Sequence, residues 1–189
     1  VQEGTTGDKL FAVTNEGIWD VTVYAATPVK VATFSNISAD AGYGTFTHYV
    51  SQAEVDVLFY ADNLNGLWSY DAGTNVWSQG NVIDAGQPIA DADVTFVMSH
   101  KNNVWFAARD STVGYYLPIL AITGVVTEQF FGDKFAHGGT LQGLFSWTVD
   151  GGDGVDDILV AVSHAGDVIL YTGSGPDEAD WGMKGIYYI

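Results

Sequence analysis

Leu67-Trp-Ser-Tyr-Asp-Ala-Gly-Thr-Asn-Val-Trp-Ser78 decides the fold class. A short apolar strand runs into an Asp71-Ala-Gly-Thr-Asn75 reversal, and a second aromatic strand leaves it. Gly73 can adopt the positive φ that such a turn often needs, and Asp71 and Asn75 carry side chains that bond nearby backbone groups. Asp71, Gly73 and Asn75 are therefore expected to form a structural turn, with Trp68 and Trp77 in the core on either side.

Three other places offer looser versions of this phrase. Lys9–Thr22 turns at Asn15-Glu16-Gly17 and continues as Ile18-Trp19. Val94–Leu117 turns at Lys101-Asn102-Asn103, continues as Val104-Trp105 and turns again at Asp110-Ser111-Thr112. Asp156–Trp181 turns at His164-Ala165-Gly166-Asp167 and continues from Val168 to Tyr171. With Val55–Ser78, which turns first around Asp62–Gly66, this makes four units. In three of them a Trp stands second in the strand after the first turn, at Trp19, Trp68 and Trp105; Ile169 takes that place in the fourth. Trp19, Trp68, Trp77 and Trp105 are the expected core indoles. The first turns centre near Glu16, Leu64, Asn102 and Ala165, in steps of 48, 38 and 63. A regular repeat of ~40–50 residues then places an insertion in the last step, between Pro118 and Thr140.

Helix formers are scarce: five Glu and five Lys stand against 23 Gly and 10 Tyr. No long window carries the i, i+3, i+4, i+7 stripe of a helix, whereas short Val/Ile/Phe/Tyr/Trp runs bounded by Gly, Asn and Asp recur. The chain reads as all-β, one domain over residues 1–189. A four-stranded sheet apolar on both faces cannot stand alone, and stacking such sheets around an axis buries both faces. The expected architecture is a β-propeller, of about four blades or a partial arc of a larger ring; a β-sandwich is the alternative. The Leu67–Ser78 phrase resembles the outer hairpin of a kelch-type propeller blade. Ser69-Tyr-Asp-Ala-Gly73 also resembles the first half of an Asp-box, a structural turn of sialidase-like propellers that carries no catalysis.

The 189 residues are 47% hydrophobic and 14% aromatic, enough for a sizeable core. The sequence opens without Met and Ile189 ends in what reads as a strand, so it reads as part of a longer gene product. No stretch approaches the ~20 apolar residues of a membrane helix, and no membrane anchor is expected. The absence of cysteine excludes disulfides, thiolate nucleophiles and zinc–sulfur sites. With 23 acids against 6 bases, a net charge of −17 excludes the usual mode of nucleic-acid binding, in which Lys and Arg neutralise phosphates. Such a charge keeps molecules apart and soluble, and it also repels DNA.

The densest candidate for chemistry is Asp150-Gly-Gly-Asp-Gly-Val-Asp-Asp157. Asp150, Asp153, Asp156 and Asp157 could offer the several oxygens that Ca²⁺ takes, although the order is not that of an EF-hand. The same residues serve equally as a solvated turn between two strands. His48, His100, His137 and His164 fall in separate units with no His-x-x-x-His pair, so no other cofactor is expected. Arg109, the only arginine, stands where a strand enters a turn and could pair with Asp110 or a neighbouring carboxylate. There is no nucleophile elbow and no phosphate loop, and no catalytic residues are assigned.

Two longer phrases carry a family resemblance. Asn103-Val-Trp-Phe-Ala-Ala-Arg-Asp-Ser-Thr-Val-Gly-Tyr-Tyr-Leu-Pro118 continues to Phe130-Phe-Gly-Asp-Lys-Phe-Ala-His-Gly-Gly139. Gly143-Leu-Phe-Ser-Trp-Thr-Val-Asp-Gly-Gly-Asp-Gly-Val-Asp-Asp157 continues to Val160-Ala-Val-Ser163 and Gly166-Asp-Val-Ile-Leu-Tyr-Thr-Gly173. Together they resemble tailed-phage virion proteins with β-propeller domains, similar to tail nozzle and packaged-DNA stabilisation (tail hub) proteins of short-tailed phages. The resemblance covers Val94 to Ile189 by phrase and the first half by repeat pattern. It implies a non-enzymatic structural protein of the virion tail, assembled in the host cytoplasm. Its partners would be copies of itself in a six-fold homo-oligomeric ring, the phage adaptor and portal, and other tail proteins. DNA would pass transiently and non-specifically during genome ejection, and the ring would help retain the packaged genome until then. An acidic wall would let that DNA slide, where a phosphate-binding wall would stall it.

Overall fold

A computed structural model describes residues 8–150 and 155–189, with the backbone alone described at 149, 150, 155 and 156. Its fifteen strands are β1 (Phe11–Thr14), β2 (Gly17–Asp20), β3 (Val29–Thr33), β4 (Gly44–Val50), β5 (Asp56–Asp62), β6 (Gly66–Asp71), β7 (Val76–Gln79), β8 (Val94–His100), β9 (Asn103–Ala108), β10 (Val113–Tyr116), β11 (Thr127–Phe130), β12 (Leu141–Asp150), β13 (Val155–Ser163), β14 (Asp167–Thr172) and β15 (Gly182–Tyr188). They form four antiparallel sheets in chain order: I (β1–β3), II (β4–β7), III (β8–β11) and IV (β12–β15). Within each sheet every strand pairs with its sequence neighbours, so each sheet is a meander. Two single 3-10 turns, Asp91–Asp93 and Gly132–Lys134, are the only helical pieces among the described residues. The chain is therefore all-β, in four small sheets rather than two facing layers.

Packing follows the same order as the chain. Sheets I and II meet through Ile18, Phe34, Tyr60, Tyr70 and Trp77, with the Phe11 ring edge-on to Tyr70 at 4.7 Å. Phe59, Leu67, Val97, Phe106 and Leu117 fill the space between II and III. Trp105, Tyr116, Phe131, Leu144, Leu159 and Ile169 fill that between III and IV. The first strands of sheets II, III and IV lie side by side and are tied by side chains. Val97 N donates to Thr45 Oγ1 at 2.9 Å, Thr47 Oγ1 donates to Ser99 Oγ at 3.1 Å, and His100 Nδ1 lies 2.9 Å from Ser146 Oγ.

The Asp71–Asn75 reversal forms, with one exchange of roles. Asp71 Oδ1 accepts from the N–H groups of Gly73 (2.7 Å) and Thr74 (3.1 Å), and Asn75 Oδ1 accepts from Tyr70 OH (2.9 Å). The left-handed residue is Asn75, at φ 58°, and not Gly73. At Gly73 a Cβ would stand 3.1 Å from the Asp71 carboxylate, a tight contact that a small shift of that side chain would relieve.

The four expected core indoles occupy different settings. Trp19 and Trp68 are half-buried and equivalent. Each follows a turn and a Gly-apolar pair, and each indole N–H points back to that turn, to Thr14 Oγ1 (3.0 Å) and Asn65 O (3.2 Å). The glycines are demanded by space, since a Cβ on Gly17 or Gly66 would meet Ala32 O at 2.0 Å or Asp91 O at 2.5 Å. Trp77 is buried between sheets I and II. Trp105 is fully buried on the second strand of its sheet, where Trp68 stands on the third. The repeat is thus out of phase with the first-turn alignment: β4, β8 and β12 begin at Gly44, Val94 and Leu141, in steps of 50 and 47. No large insertion separates units at 118–140, because β11 lies there and completes sheet III.

Asp62 is the polar joint of this arrangement. It is buried and accepts from Leu64 N (2.8 Å), Asn65 N (2.5 Å), Tyr60 OH (2.7 Å) and Gly42 N (3.2 Å), so it fixes both its own turn and the crossing from sheet I to sheet II. Asp62→Ala orphans these donors and should cost about 3 kcal/mol in urea unfolding, against less than half of that for Asp62→Asn, which keeps an acceptor oxygen.

Candidate functional site

In an antiparallel meander, the start of the first strand and the turn between the second and third lie at the same end of the sheet. Sheets II, III and IV bring those ends together around one cleft of about 610 Å³. Its walls are the starts of β4 (Tyr43, Thr45), β8 (Thr95, Phe96) and β12 (Leu141, Gln142). Its rim is made by the following turns at Asn63, Arg109-Asp110 and His164.

Arg109 is held there by backbone. Its N–H donates to Asp93 O at 2.8 Å and its Nη2 to Asn63 O at 2.5 Å, so the guanidinium bridges the turns of sheets II and III. It makes no ion pair with Asp110 or any other carboxylate among the described residues. Asp110 takes a left-handed conformation at φ 54°. Around this pair stand the exposed Tyr43 ring, the His164 imidazole, the Thr hydroxyls and the Gln142 amide. One aromatic platform with both donors and acceptors, a cation and an anion suits a small polyhydroxylated ligand. Neither Arg109 nor His164 was singled out by spacing as part of a shared site. Their convergence depends on which turn of each sheet comes to this end, and that follows from strand count alone.

A second cavity, of about 420 Å³, lies where the same inner strands finish, beside Tyr49, Ser99, His100, Lys101, Asn102 and Ser146. Tyr49 OH donates to Asn102 O and accepts from Leu120 N at 3.0 Å, pinning the β8–β9 hairpin to sheet II. His100 is buried, with Nδ1 against Ser146 and Nε2 without a hydrogen-bond partner among the described residues.

The remaining candidates separate. Of the proposed cation ligands, Asp153 and the side chains of Asp150 and Asp156 lie outside the described residues. Asp157 Oδ1 accepts from Thr148 Oγ1 at 2.6 Å across the β12–β13 pair. No group of three His, Asp or Glu side chains that could hold a metal ion occurs among the described residues. One pairing had no signal in the sequence: His137 Nδ1 lies 2.8 Å from Oδ1 of Asp167, thirty residues on, and its backbone N–H donates to Oδ2 at 2.9 Å. Burial opposes the charge on Asp167, but the hydrogen bonds from the His137 ring and backbone outweigh it and hold the carboxyl below its ordinary range. The His137 ring stacks on Tyr188 at 3.9 Å. The pair fastens the 132–138 segment to the edge of sheet IV.

Burial, reinforced by the Lys101 charge and only partly opposed by Asp157, pulls the His100 imidazole down to about 4 from its ordinary 6.5. The unfolded chain therefore takes up this proton first as pH falls. The contribution to stability is complete above pH 6.5 and is lost between 6.5 and 4, up to about 3 kcal/mol. This window lies above that of Asp20, whose carboxyl is lowered to about 2 chiefly by the Lys9 ammonium, so its contribution fades only below 3.8. Thermal melts should fall across pH 6.5–4.5 in the parent chain and stay nearly flat there in His100→Gln. No protein-family model matches the chain, and no curated protein sequence matches it.

Proposed function

We propose that the chain is a structural β-propeller-type module of a phage tail, one part of a ring through which DNA passes. The observation that carries the reading is the stacking of small four-stranded meanders in chain order, with β4, β8 and β12 side by side along one line. This order supports a propeller-type reading, in which blades pack as wedges and their inner strands surround an axis. The two phrases that resemble tail nozzle and tail hub proteins fall in sheets III and IV. The net charge of −17 suits a wall past which DNA slides. Immunogold labelling with antibodies against this chain should decorate the tails of particles whose genome encodes it. Label confined to host lysate, with bare particles, would overturn the reading.

The cleft favours a second reading, a glycan-binding propeller. Tyr43 is an exposed aromatic beside Arg109, Asp110 and His164, and the volume suits a mono- or disaccharide. A glycan array probed with the chain should then give a defined set of hits that Tyr43→Ala abolishes, and an empty array removes this reading.

A further inference from the structure

Sheet I has three strands where sheets II, III and IV have four, and the position left open lies beside β1. Val21 N donates to Leu10 O at 2.9 Å, which sets the alternation of the β1–β2 ladder. By that alternation Phe11 and Val13 turn their N–H and C=O groups away from β2. No strand pairs with this edge among the described residues. Their side chains meanwhile pack inward on sheet II.

Beside the free edge lies an uncovered floor. Phe46, His48 and Val50 of β4 share the face of sheet II that turns toward sheet I; Phe46 and Val50 remain 48% and 41% exposed, and the His48 side chain 64%. On β8 the contrast is direct: Phe96 and His100 face sheet IV and are covered by Phe145 and Ser146 of β12. The floor continues an existing interface, because the Phe46 ring sits 4.8 Å from Tyr60 in the cluster between sheets I and II. A cavity of about 400 Å³, lined by Phe11, His48, Asp56, Leu58 and Tyr70, separates edge from floor.

We propose that this edge and floor form an acceptor for an extended β-strand supplied by another polypeptide. The strand pairs antiparallel with β1, as the first strand of each other sheet does with its second. Alternate apolar side chains rest on Phe46 and Val50. Basic flanking residues suit both the exposed Asp56 carboxylate, which lies 3.1 Å from His48 Nε2, and the charge of −17. Main-chain bonds give the affinity and the alternate side chains the selectivity. The inference goes beyond the tail reading and does not depend on where the chain resides.

The probe is a fluorescein-labelled peptide copying the inner strand Val94–His100, with two lysines added at each end, titrated into the chain by anisotropy. Saturable binding is expected, with slowed hydrogen exchange at the Phe11 and Val13 amides. Val13→Pro removes an outward N–H and blocks pairing. Val50→Arg places a charge on an exposed part of the floor, and folds irrespective of the outcome of the first variant. Each should weaken binding by at least ~10-fold while circular dichroism and melting temperature stay near those of the parent. No saturable binding, equal affinity in Val50→Arg, or equal binding of a scrambled peptide would overturn the proposal.

Discussion

Trp105 and Phe106 are neighbours in sequence, point to opposite faces of one sheet, and are both completely buried. A strand with that pattern can exist only between two other layers, because successive side chains alternate across it. Sheets II and III each have apolar clusters on both faces, and β9 at the heart of sheet III is buried from end to end. A fully buried aromatic side chain contributes about 2–3 kcal/mol through area removed from water. That contribution is obtained only when sheets II and IV are both in place. The stacking order is thus a consequence of how this one strand is written, and the hydroxyl and imidazole contacts among β4, β8 and β12 set register within a packing that apolar burial drives.

Charge plays a smaller and different part. The ammonium–carboxylate pairs, Lys9 with Asp20, Lys30 with Glu16 and Lys134 with Asp133, are at least partly exposed, and water screens such pairs so that they add little to stability. The acids that matter to the fold are the buried ones, and they work as acceptors for backbone. Asp62 holds the β5–β6 turn. Asp91 accepts from Val82 N (3.0 Å) and Ile83 N (2.9 Å), and Asp167 receives His137. A net charge read from composition therefore mixes two populations. A few carboxylates are spent inside on turns, and the many at the surface keep other anionic molecules away.

The fold class was legible because hairpin chemistry is local. Tyr70, Asp71 and Asn75 make their bonds within a few residues of one another, and Gly-Ile-Trp and Gly-Leu-Trp mark the same strand position in sheets I and II. The phase of the repeat was not legible. The turn at Lys101-Asn102, where both residues are left-handed at φ 49° and 58°, looks as strong in sequence as the turn at Asn63-Leu64-Asn65, yet it joins the first two strands of its sheet, not the second and third. Aligning the two shifted Trp105 by one strand and made β11 look like an insertion. Long-range partners left no trace at all. The bridging of Asn63 by Arg109 and of Asp167 by His137 depends on which turns share an end, a property of the assembled sheets.

The two ends of the stack differ in kind. The outer face of sheet I is polar: the Lys30 ammonium lies 4.7 Å over the Trp19 ring and pairs with Glu16 at 2.8 Å. The outer face of sheet IV carries Trp147, Val160, Val162, Val168 and Tyr187, with the Trp147 and Tyr187 rings more than half exposed. Setting one against the other would bury a charged pair against apolar rings, and removing such ions from water costs several kcal/mol per ion. Sheet I is therefore a poor cover for sheet IV, whether in the same chain or in a second copy. The complement that sheet IV asks for is a further apolar sheet face of the kind it already meets on its other side. This asymmetry gives the stack a direction, with a charged polar face at one end and a half-exposed apolar face at the other.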